Sequence, residues 1–592
     1  MRTLLFAVVV SCGVLSAWAM PGVTKSEYLD LVEAAVGAYT TEHMQDYHAR
    51  VQREGIREHG FPRLAANLGV LIANGRRPND KELFRELMTT ACSQMSTALE
   101  ASKRQKKGGF GVGNDFTVKE IVLCLLAIEK SGVFPKSVTE AWRADIRKVV
   151  PEKTYNCQPK LGSSIAHNWA VFGATSEQLR NFAGLGGSAD YTERYFSDQL
   201  RFFDVNGMYK DPHQPMVYDF VTRLQFMLAL SYGYKGPSRT ALEANFLKSA
   251  EPSLLMQSIT GELPYGGRSN QFLHSETHYA AVCEWYATWF KQRGDLQMAS
   301  RFRRAAKRAV ESLQYWLKQP NYRHIKNRFP LETRQGCEGY GYFDKYMVTM
   351  GSWAWLGCLF ADESIPAADT APAATAFQTS PDFHRTFLTA GDYGLELDTN
   401  CDTPYDANGV GRIQRYGAPP MLALSVPFPD GSKKKPNYVT GVTNATPLAI
   451  LPGWKKDGDW QYAYQACYEV KDARVQGDRS RAVVEIARVG LKPLTWTLEV
   501  APDGVSMELV GTPGEELALT IPVFDFDGES HTEIRVQRQN LSVCFNGWSS
   551  CVSTSGEFVN TKMRYGNRNG YSIRYEARDA NRLKVAFRIV PK

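Results

Sequence analysis

Residues 274–317, HSETHYAAVCEWYATWFKQRGDLQMASRFRRAAKRAVESLQYWL, contain two consecutive segments with the same spacing of apolar residues. In His274–Arg293 and in Leu296–Leu317, apolar side chains recur at positions i, i+3, i+4 and i+7, the period of an amphipathic helix. Both segments are long, and a short turn separates them. This pattern predicts antiparallel helix pairs stacked side by side.

The helical pattern extends over residues 26–357, where similar segments alternate with Gly/Pro turns. Residues 362–381 are rich in Ala, Pro, Thr and Ser and are predicted to be a linker. Beyond them the apolar period changes to two, as in Val505–Val510 and Leu583–Val590, which indicates antiparallel strands. We therefore predict an α+β multidomain chain. Its parts would be an (α/α) toroid, or incomplete helical barrel, over residues 20–361 and a β-sandwich-like domain over residues 382–592.

The N-terminus has the features of a secretory signal peptide. Arg2 precedes an apolar run, Leu4–Leu15, and Ala17-Trp18-Ala19 is typical of a cleavage site. The run is shorter than the roughly 20 residues that a membrane-spanning helix requires. We expect residues 1–19 to be removed and the mature protein to be secreted or periplasmic, without a membrane span.

Charge and motifs exclude several classes of function. The net charge of +7 is modest, and the basic clusters Lys103–Lys107 and Lys433–Lys435 are predicted to be solvated loops, so no nucleic-acid partner is expected. A mild positive charge does suit a polyanionic substrate. The chain has no P-loop, no G-x-G-x-x-G after a strand and no G-x-S-x-G, which excludes nucleotide-dependent and serine-hydrolase chemistry of those types.

Neither a cofactor nor a metal is expected from the sequence. No C-x-x-C pair is present, which argues against a structural zinc cluster. His274 and His278 are four residues apart and could share a metal, but no third ligand is evident, so metal binding stays an alternative. Cys544 and Cys551 flank a short turn and are the best candidates for a local disulfide.

The candidate catalytic residues combine tyrosine, histidine, asparagine, arginine and glutamate in the helical part of the chain. Such a set can neutralise a sugar carboxylate, take a proton from carbon and protonate a leaving oxygen. The candidates are His167, Asn168, Tyr218, Arg268, His274 and Glu276. The predicted substrate-binding residues are Trp169, Asp219, Arg223, Glu338, Tyr340 and Tyr342.

Three short motifs resemble those of toroidal polysaccharide lyases of the heparinase II/III-like and alginate or glucuronan lyase families. They are His167-Asn168-Trp169, the two runs Gly207–Pro212 and Pro215–Asp219 with Arg223, and Pro264–Ser269 with Glu276. The resemblance covers about residues 155–346. It implies an acidic polysaccharide or oligosaccharide as substrate and β-elimination of a uronic-acid-containing chain as reaction.

In such a lyase, Asn168 and an arginine, Arg223 or Arg268, would bind the uronate carboxylate and stabilise the charge formed as the C5 proton leaves. Tyr218 is the first candidate for protonating the bridging oxygen, and His167 and His274 are alternatives for the base.

Two other functions fit the same residues. A glucuronidase-like glycoside hydrolase on a toroid scaffold would need two carboxylates, for which Asp219, Glu276, Glu338 and Asp344 are available. A non-catalytic carbohydrate-binding protein would need only the aromatic and arginine contacts.

Structural roles are also open for the candidate residues. Tyr218 could be a core tyrosine, and His167 could pack or cap a helix. Asp219 and Arg223 are four residues apart, as in a helical ion pair. Gly266 and Gly267 could form a turn that requires positive φ.

Overall fold

The computed structural model describes residues 20–98, 113–164, 166–320, 322–333, 335–336, 340–370, 373–402, 405–423, 448–464 and 466–592. The predicted signal peptide, both basic clusters and Glu338 lie outside the described residues. No helix within these ranges is long and apolar enough to cross a bilayer.

Helices occupy the N-terminal part of the described chain. They are α1 Lys25–Gly37, α2 Thr41–Glu54, α3 Gly60–Ala73, α4 Lys81–Met95, α5 Asn114–Ser131, α6 Lys136–Ile146, α7 Pro151–Thr154, α8 Asn168–Phe182, α9 Ala189–Gln199, α10 Met216–Ser231, α11 Arg239–Leu255, α12 His274–Gln292, α13 Leu296–Leu317 and α14 Phe343–Phe360.

Six of these helices form an inner ring. In the order α3, α5, α8, α10, α12 and α14, each packs against the next, and α14 packs against α3. The remaining long helices lie outside, such as α9 on α8 and α13 on α12. Inner and outer helices differ in burial. The inner helix α12 is buried on almost every side, whereas the outer helix α13 buries one stripe and presents its charged face outward. The predicted (α/α) toroid is confirmed, and its ring returns on itself.

Strands occupy the C-terminal part. They are β1 Ala374–Gln378, β2 Arg385–Ala390, β3 Tyr393–Asp398, β4 Gly409–Arg415, β5 Pro452–Lys456, β6 Asp459–Tyr462, β7 Tyr468–Gln476, β8 Arg479–Arg488, β9 Leu491–Ala501, β10 Gly504–Val510, β11 Glu516–Phe526, β12 Glu533–Val536, β13 Asn540–Phe545, β14 Trp548–Thr554, β15 Glu557–Gly566, β16 Tyr571–Ala580 and β17 Arg582–Pro591.

These strands form three antiparallel sheets. Their orders are β1-β2-β3-β4, β12-β13-β14-β17-β10-β9-β8-β7 and β15-β16-β11-β5-β6. The first sheet packs against β7, β8 and β9 of the second, so apolar side chains alternate into a shared core, as along β8. The predicted antiparallel sandwich-like region is confirmed.

Two local expectations differ from the structure. The interval 362–381, predicted as linker, contains β1, which pairs with β2 over its whole length. The predicted Cys544–Cys551 disulfide is wrong, because both cysteines are free. Cys544 lies opposite Ser549, and Cys551 lies opposite Ser542, so the two thiols are diagonal neighbours across β13 and β14. Diagonal positions are about 7–8 Å apart, beyond the reach of a disulfide.

The first sheet is joined to the ring through the segment before α12. Glu396 of β3 accepts hydrogen bonds from the Ser258 hydroxyl and, at 3.0 Å, from the backbone N–H of Tyr265. Arg412 of β4 donates to the carbonyl of Leu263 at 2.9 Å. The loop between residues 258 and 273 is therefore held by both halves of the chain.

Candidate active site

Most candidate residues lie where inner helices begin. Asn168 is the first residue of α8, Tyr218 lies in the first turn of α10, His274 opens α12, and Tyr342 precedes α14. Since consecutive inner helices are separated by an outer helix that returns the chain, their N-termini gather at one end of the ring. The partial positive charges of these termini favour an anionic ligand there.

The Tyr218 hydroxyl is part of a chain of hydroxyl groups. It lies 2.9 Å from the Ser269 hydroxyl, which lies 2.8 Å from the hydroxyl of Tyr340. The Arg268 guanidinium lies 4.5 Å from the centre of the Tyr218 ring. Tyr218 and Tyr340 are both half-buried, so the chain of hydroxyls reaches the protein surface.

The backbone around Gly266 and Gly267 sets the direction of Arg268. The φ angles are +128° and +78° for the two glycines and +61° for Ser269, a left-handed region that favours glycine. A Cβ on Gly267 would collide with Pro215, immediately before α10. The loop can therefore press against the start of α10 and bring Arg268 onto the Tyr218 ring.

Asp211 joins Arg268 to Asn168. Its Oδ1 accepts from the backbone N–H of Asn168 at 3.2 Å and from the Asn168 side-chain Nδ2 at 3.0 Å. Its Oδ2 accepts from the Arg268 guanidinium, which also donates to the carbonyl of Pro212. The carboxylate is 1% exposed. Burial raises the pKa of Asp211 to about 6, against the opposing effect of the Arg268 charge.

His167 and Trp169 flank Asn168. His167 is half-buried, and its Nδ1 has no hydrogen-bond partner. Burial lowers the pKa of His167, and the nearby Arg268 charge lowers it further, so the ring is neutral at neutral pH. The half-buried Trp169 ring lies 6.3 Å from the His167 ring and 4.7 Å from Phe116, which fixes its orientation.

His274 lies deeper in the ring. It is buried, its Nδ1 has no hydrogen-bond partner, and its ring lies 5.3 Å from Tyr346, which in turn lies 6.2 Å from Tyr340. Burial lowers the pKa of His274, with His278 as the next contribution. His274 therefore reaches the hydroxyl chain only through aromatic neighbours.

Three of the predicted site residues are held in buried ion pairs. Arg223 and Asp219 form a pair at 2.6 Å in which both side chains are 0% exposed. Glu276 accepts from Lys326 at 2.8 Å, and Lys326 also binds Glu262 at 2.7 Å. The structure thus brings together Asn168, Tyr218, Arg268 and Tyr340. Arg223, Asp219 and Glu276 are instead held in buried ion pairs.

No metal-binding group of three or more His, Cys, Asp or Glu side chains occurs within the described part of the chain. His274 and His278, the pair that could have shared a metal, contact each other instead: His278 Nδ1 is 3.1 Å from the backbone carbonyl of His274.

Tyr342, a predicted substrate-binding residue, lies at the rim of the ring and is 45% exposed.

The sheet region supplies groups that sequence reasoning missed. Asp406 accepts from the backbone N–H of Gly267, and Arg385 joins Asp406 to Asp398. His384 Nδ1 lies 2.7 Å from Asp398.

A further contact between the two halves also escaped the sequence. His213, in the left-handed region with φ +67°, has its Nδ1 3.4 Å from Asp402. Of the missed groups, Asp211 and Ser269 had a signal, since both lie inside the quoted motifs. His213 and His384 had none: Asp402 is far from His213 along the chain, and Asp398 comes 14 residues after His384, at the end of β3.

No family model and no curated protein matches the chain. Among solved structures, it is similar to heparinase III (10% identity, 87% of this chain and 77% of that chain, TM-score 0.45). It is similar to chondroitin AC lyase of Streptomyces coelicolor A3 in complex with chondroitin sulphate (10%, 95% and 77%, TM-score 0.47). It is also similar to a glycosyl hydrolase family 88 protein from Bacteroides vulgatus (11%, 58% and 99%, TM-score 0.39). At these scores, a function is inferred from the side chains described above.

Proposed function

We propose that this protein is an exported polysaccharide lyase that cleaves a uronic-acid-containing chain by β-elimination. One observation carries the proposal: the Tyr218 hydroxyl lies beside Arg268, and Arg268 shares the Asp211 carboxylate with Asn168. A proton donor, a fixed cation and a polar amide are thereby gathered at one end of the ring.

Arg268 is proposed to bind the uronate carboxylate. A guanidinium has five N–H donors, and Asp211 and Pro212 use only part of this fork. The rest can neutralise the carboxylate and the enolate-like charge that develops when the C5 proton leaves. Asn168 donates its side-chain amide to the same Asp211 carboxylate, which holds this amide beside Arg268.

The proton steps are assigned to His167 and Tyr218. The neutral His167, which is half-buried next to Asn168, takes the C5 proton. The electron pair forms the C4–C5 double bond as the bond from C4 to the bridging oxygen breaks. Tyr218 protonates that oxygen and is reprotonated through Ser269 and Tyr340. His274 is the alternative base, but its burial behind Tyr346 disfavours it.

The arrangement of carboxylates also supports elimination over hydrolysis. Asp219 and Glu276 each bind a buried cation. Asp344 lies 3.6 Å from both His43 and Arg50. Among the described residues, these candidates do not form the pair of opposed carboxyl groups that a glycosidase needs.

The test is ultraviolet absorbance of the unsaturated uronate while the purified mature protein digests glucuronate-, mannuronate- and iduronate-containing polysaccharides. A rise on one substrate would support elimination and identify the sugar. New reducing ends without absorbance would instead support hydrolysis, and no change in either readout would leave carbohydrate binding alone.

The variant Tyr218→Phe should abolish the absorbance. Tyr322→Phe is the matched control, because its hydroxyl donates to the Ala34 carbonyl of α1 at 2.6 Å and not to the candidate site residues. Equal activity of wild type and Tyr218→Phe would refute the assigned role.

A further inference from the structure

Two arginines lie one helical turn apart on the outer helix α13, facing the end of β4. They are Arg304 and Arg308, and Tyr416, directly after β4, is their neighbour from the sheet. The Arg308 guanidinium lies 4.6 Å from the centre of the Tyr416 ring.

Arg308 is only partly satisfied by the protein. One of its terminal nitrogens donates to the backbone carbonyl of Ile259, and its Nε is buried without an acceptor. Burial, and then the charge of Arg304, lowers the pKa of Arg308 to about 10. Burying a guanidinium without a counter-charge is unfavourable, and arginine does not relieve this by losing its proton at neutral pH.

Other arginines of the same helix do have carboxylate partners. Arg301 binds Glu251 at 2.6 Å, and Arg303 binds Glu284. In the described part of the chain, neither Arg304 nor Arg308 has a carboxylate within 4.0 Å, the distance of an ion pair. Glu311 acts on both, and Asp369 acts on Arg304, only from farther away.

We propose that Arg304, Arg308 and Tyr416 form a binding site for a sulfate-type oxyanion. Two guanidinium forks one turn apart offer several N–H donors to the oxygens of one group, and arginine is well suited to such planar, multiple hydrogen bonds. The anion supplies the missing counter-charge, and the Tyr416 ring limits the site on the sheet side.

The same chemistry has two possible sources: a sulfo group of a polysaccharide or the free inorganic ion. The first depends on the proposed function, and the second does not. Arg412 of β4 lies 5.7 Å from the Tyr265 ring, three residues before Arg268. Tyr416 is four residues farther along the strand, about 13 Å at 3.3 Å per residue. A polysaccharide held at Arg268 would need to extend several sugars to reach this site.

The experiment measures binding on the full mature chain by titration calorimetry. The probes are sodium sulfate against sodium chloride at equal ionic strength, and a sulfated polysaccharide against its desulfated form. The variants are the single variant Arg304→Gln, at a half-exposed residue, and the double variant Arg304→Gln/Arg308→Gln. Arg301→Gln is the control because it removes one positive charge from the same helix.

We expect the double variant to weaken binding of one sulfated probe about tenfold or more, the loss expected for a charge-assisted hydrogen bond. Arg301→Gln should leave it unchanged. Loss with inorganic sulfate identifies the free ion, and loss with the sulfated polysaccharide alone identifies a sulfo group. If neither probe binds the wild type better than its control, or if Arg301→Gln weakens binding as much as the pair, the site is refuted. Since catalysis is not the readout, failure of the proposed lyase activity leaves the result interpretable.

Discussion

Replacing Asp211 by Asn should lower kcat/KM sharply while the chain stays folded. Asp211 accepts two hydrogen bonds from Asn168 and one from Arg268, so one carboxylate positions both groups assigned to the substrate. An amide of the same shape keeps one acceptor oxygen but loses the charge that fixes the guanidinium.

The size of the effect follows from the contacts. A hydrogen bond between charged groups contributes about 1.5–3 kcal/mol, and each 1.4 kcal/mol is about a factor of ten. The loss of the Arg268 contact alone therefore predicts a fall of about ten- to a hundredfold. Wild-type activity should also fall as the pH drops through about 6, because the Asp211 carboxylate takes up a proton there and loses its charge. The variant should lack this dependence.

The assay is the initial rate of ultraviolet absorbance from pH 5 to 8, with thermal melting to verify folding. Asp392→Asn is the control, since Asp392 is exposed and its nearest cation, Arg415, is 3.9 Å away. An unchanged rate in Asp211→Asn, or a variant that keeps the wild-type decline near pH 6, would contradict the positioning role.

Three other predictions concern stability and the separation of catalytic from structural roles. Gly267→Ala should cost about 1–3 kcal/mol of unfolding free energy in urea, since it adds a clash to a positive φ. Gly490→Ala, at φ +73° in open space, should cost less, and equal losses would contradict the clash. Burial lowers the pKa of His278 to about 3. The unfolded chain binds this proton below about pH 6.5 while the folded chain does not, so stability should fall by up to about 1.4 kcal/mol per pH unit towards pH 5. His278→Asn should make that slope shallower, and an identical slope would refute the assignment. Glu276→Gln leaves Lys326 paired with Glu262, so it should destabilise the fold by about 1.5–3 kcal/mol, the loss of one hydrogen bond to a charged group. Folded Glu276→Gln should keep its kcat, and a folded but inactive variant would favour hydrolysis.

The helices were predictable because their apolar residues recur with a helical period. The prediction of Leu296–Leu317 coincides with α13, and His274–Arg293 differs from α12 by one residue at its end. Closure of the helical ring could not be predicted from the sequence in the same way. It depends on packing between α3 and α14, which are far apart in the chain, and local periodicity carries no signal for such contacts.

The candidate site was predictable only where its residues lie within the quoted motifs. Tyr218 and Arg268 were chosen for their chemistry, and their contact depends on two glycines in the motif that contains Arg268. Arg223 was chosen for the same chemistry but pairs with Asp219, the ordinary outcome for charges four residues apart in a helix. The sequence could not show which of Arg223 and Arg268 lies at the candidate site, because the two arginines differ in their burial and not in their chemistry.

Two residues of the sheet region hold the loop that carries Arg268, and this limits which domain exchanges the chain can tolerate. Asp406 and Arg568 of the sheet region bind the N–H and the carbonyl of Gly267, one residue before Arg268. A ring expressed alone would lose the anchors of the loop that carries Arg268. Chimeras that exchange the sheet region between toroid proteins should therefore fail unless both anchors are transferred, so the two halves of this chain are not interchangeable modules.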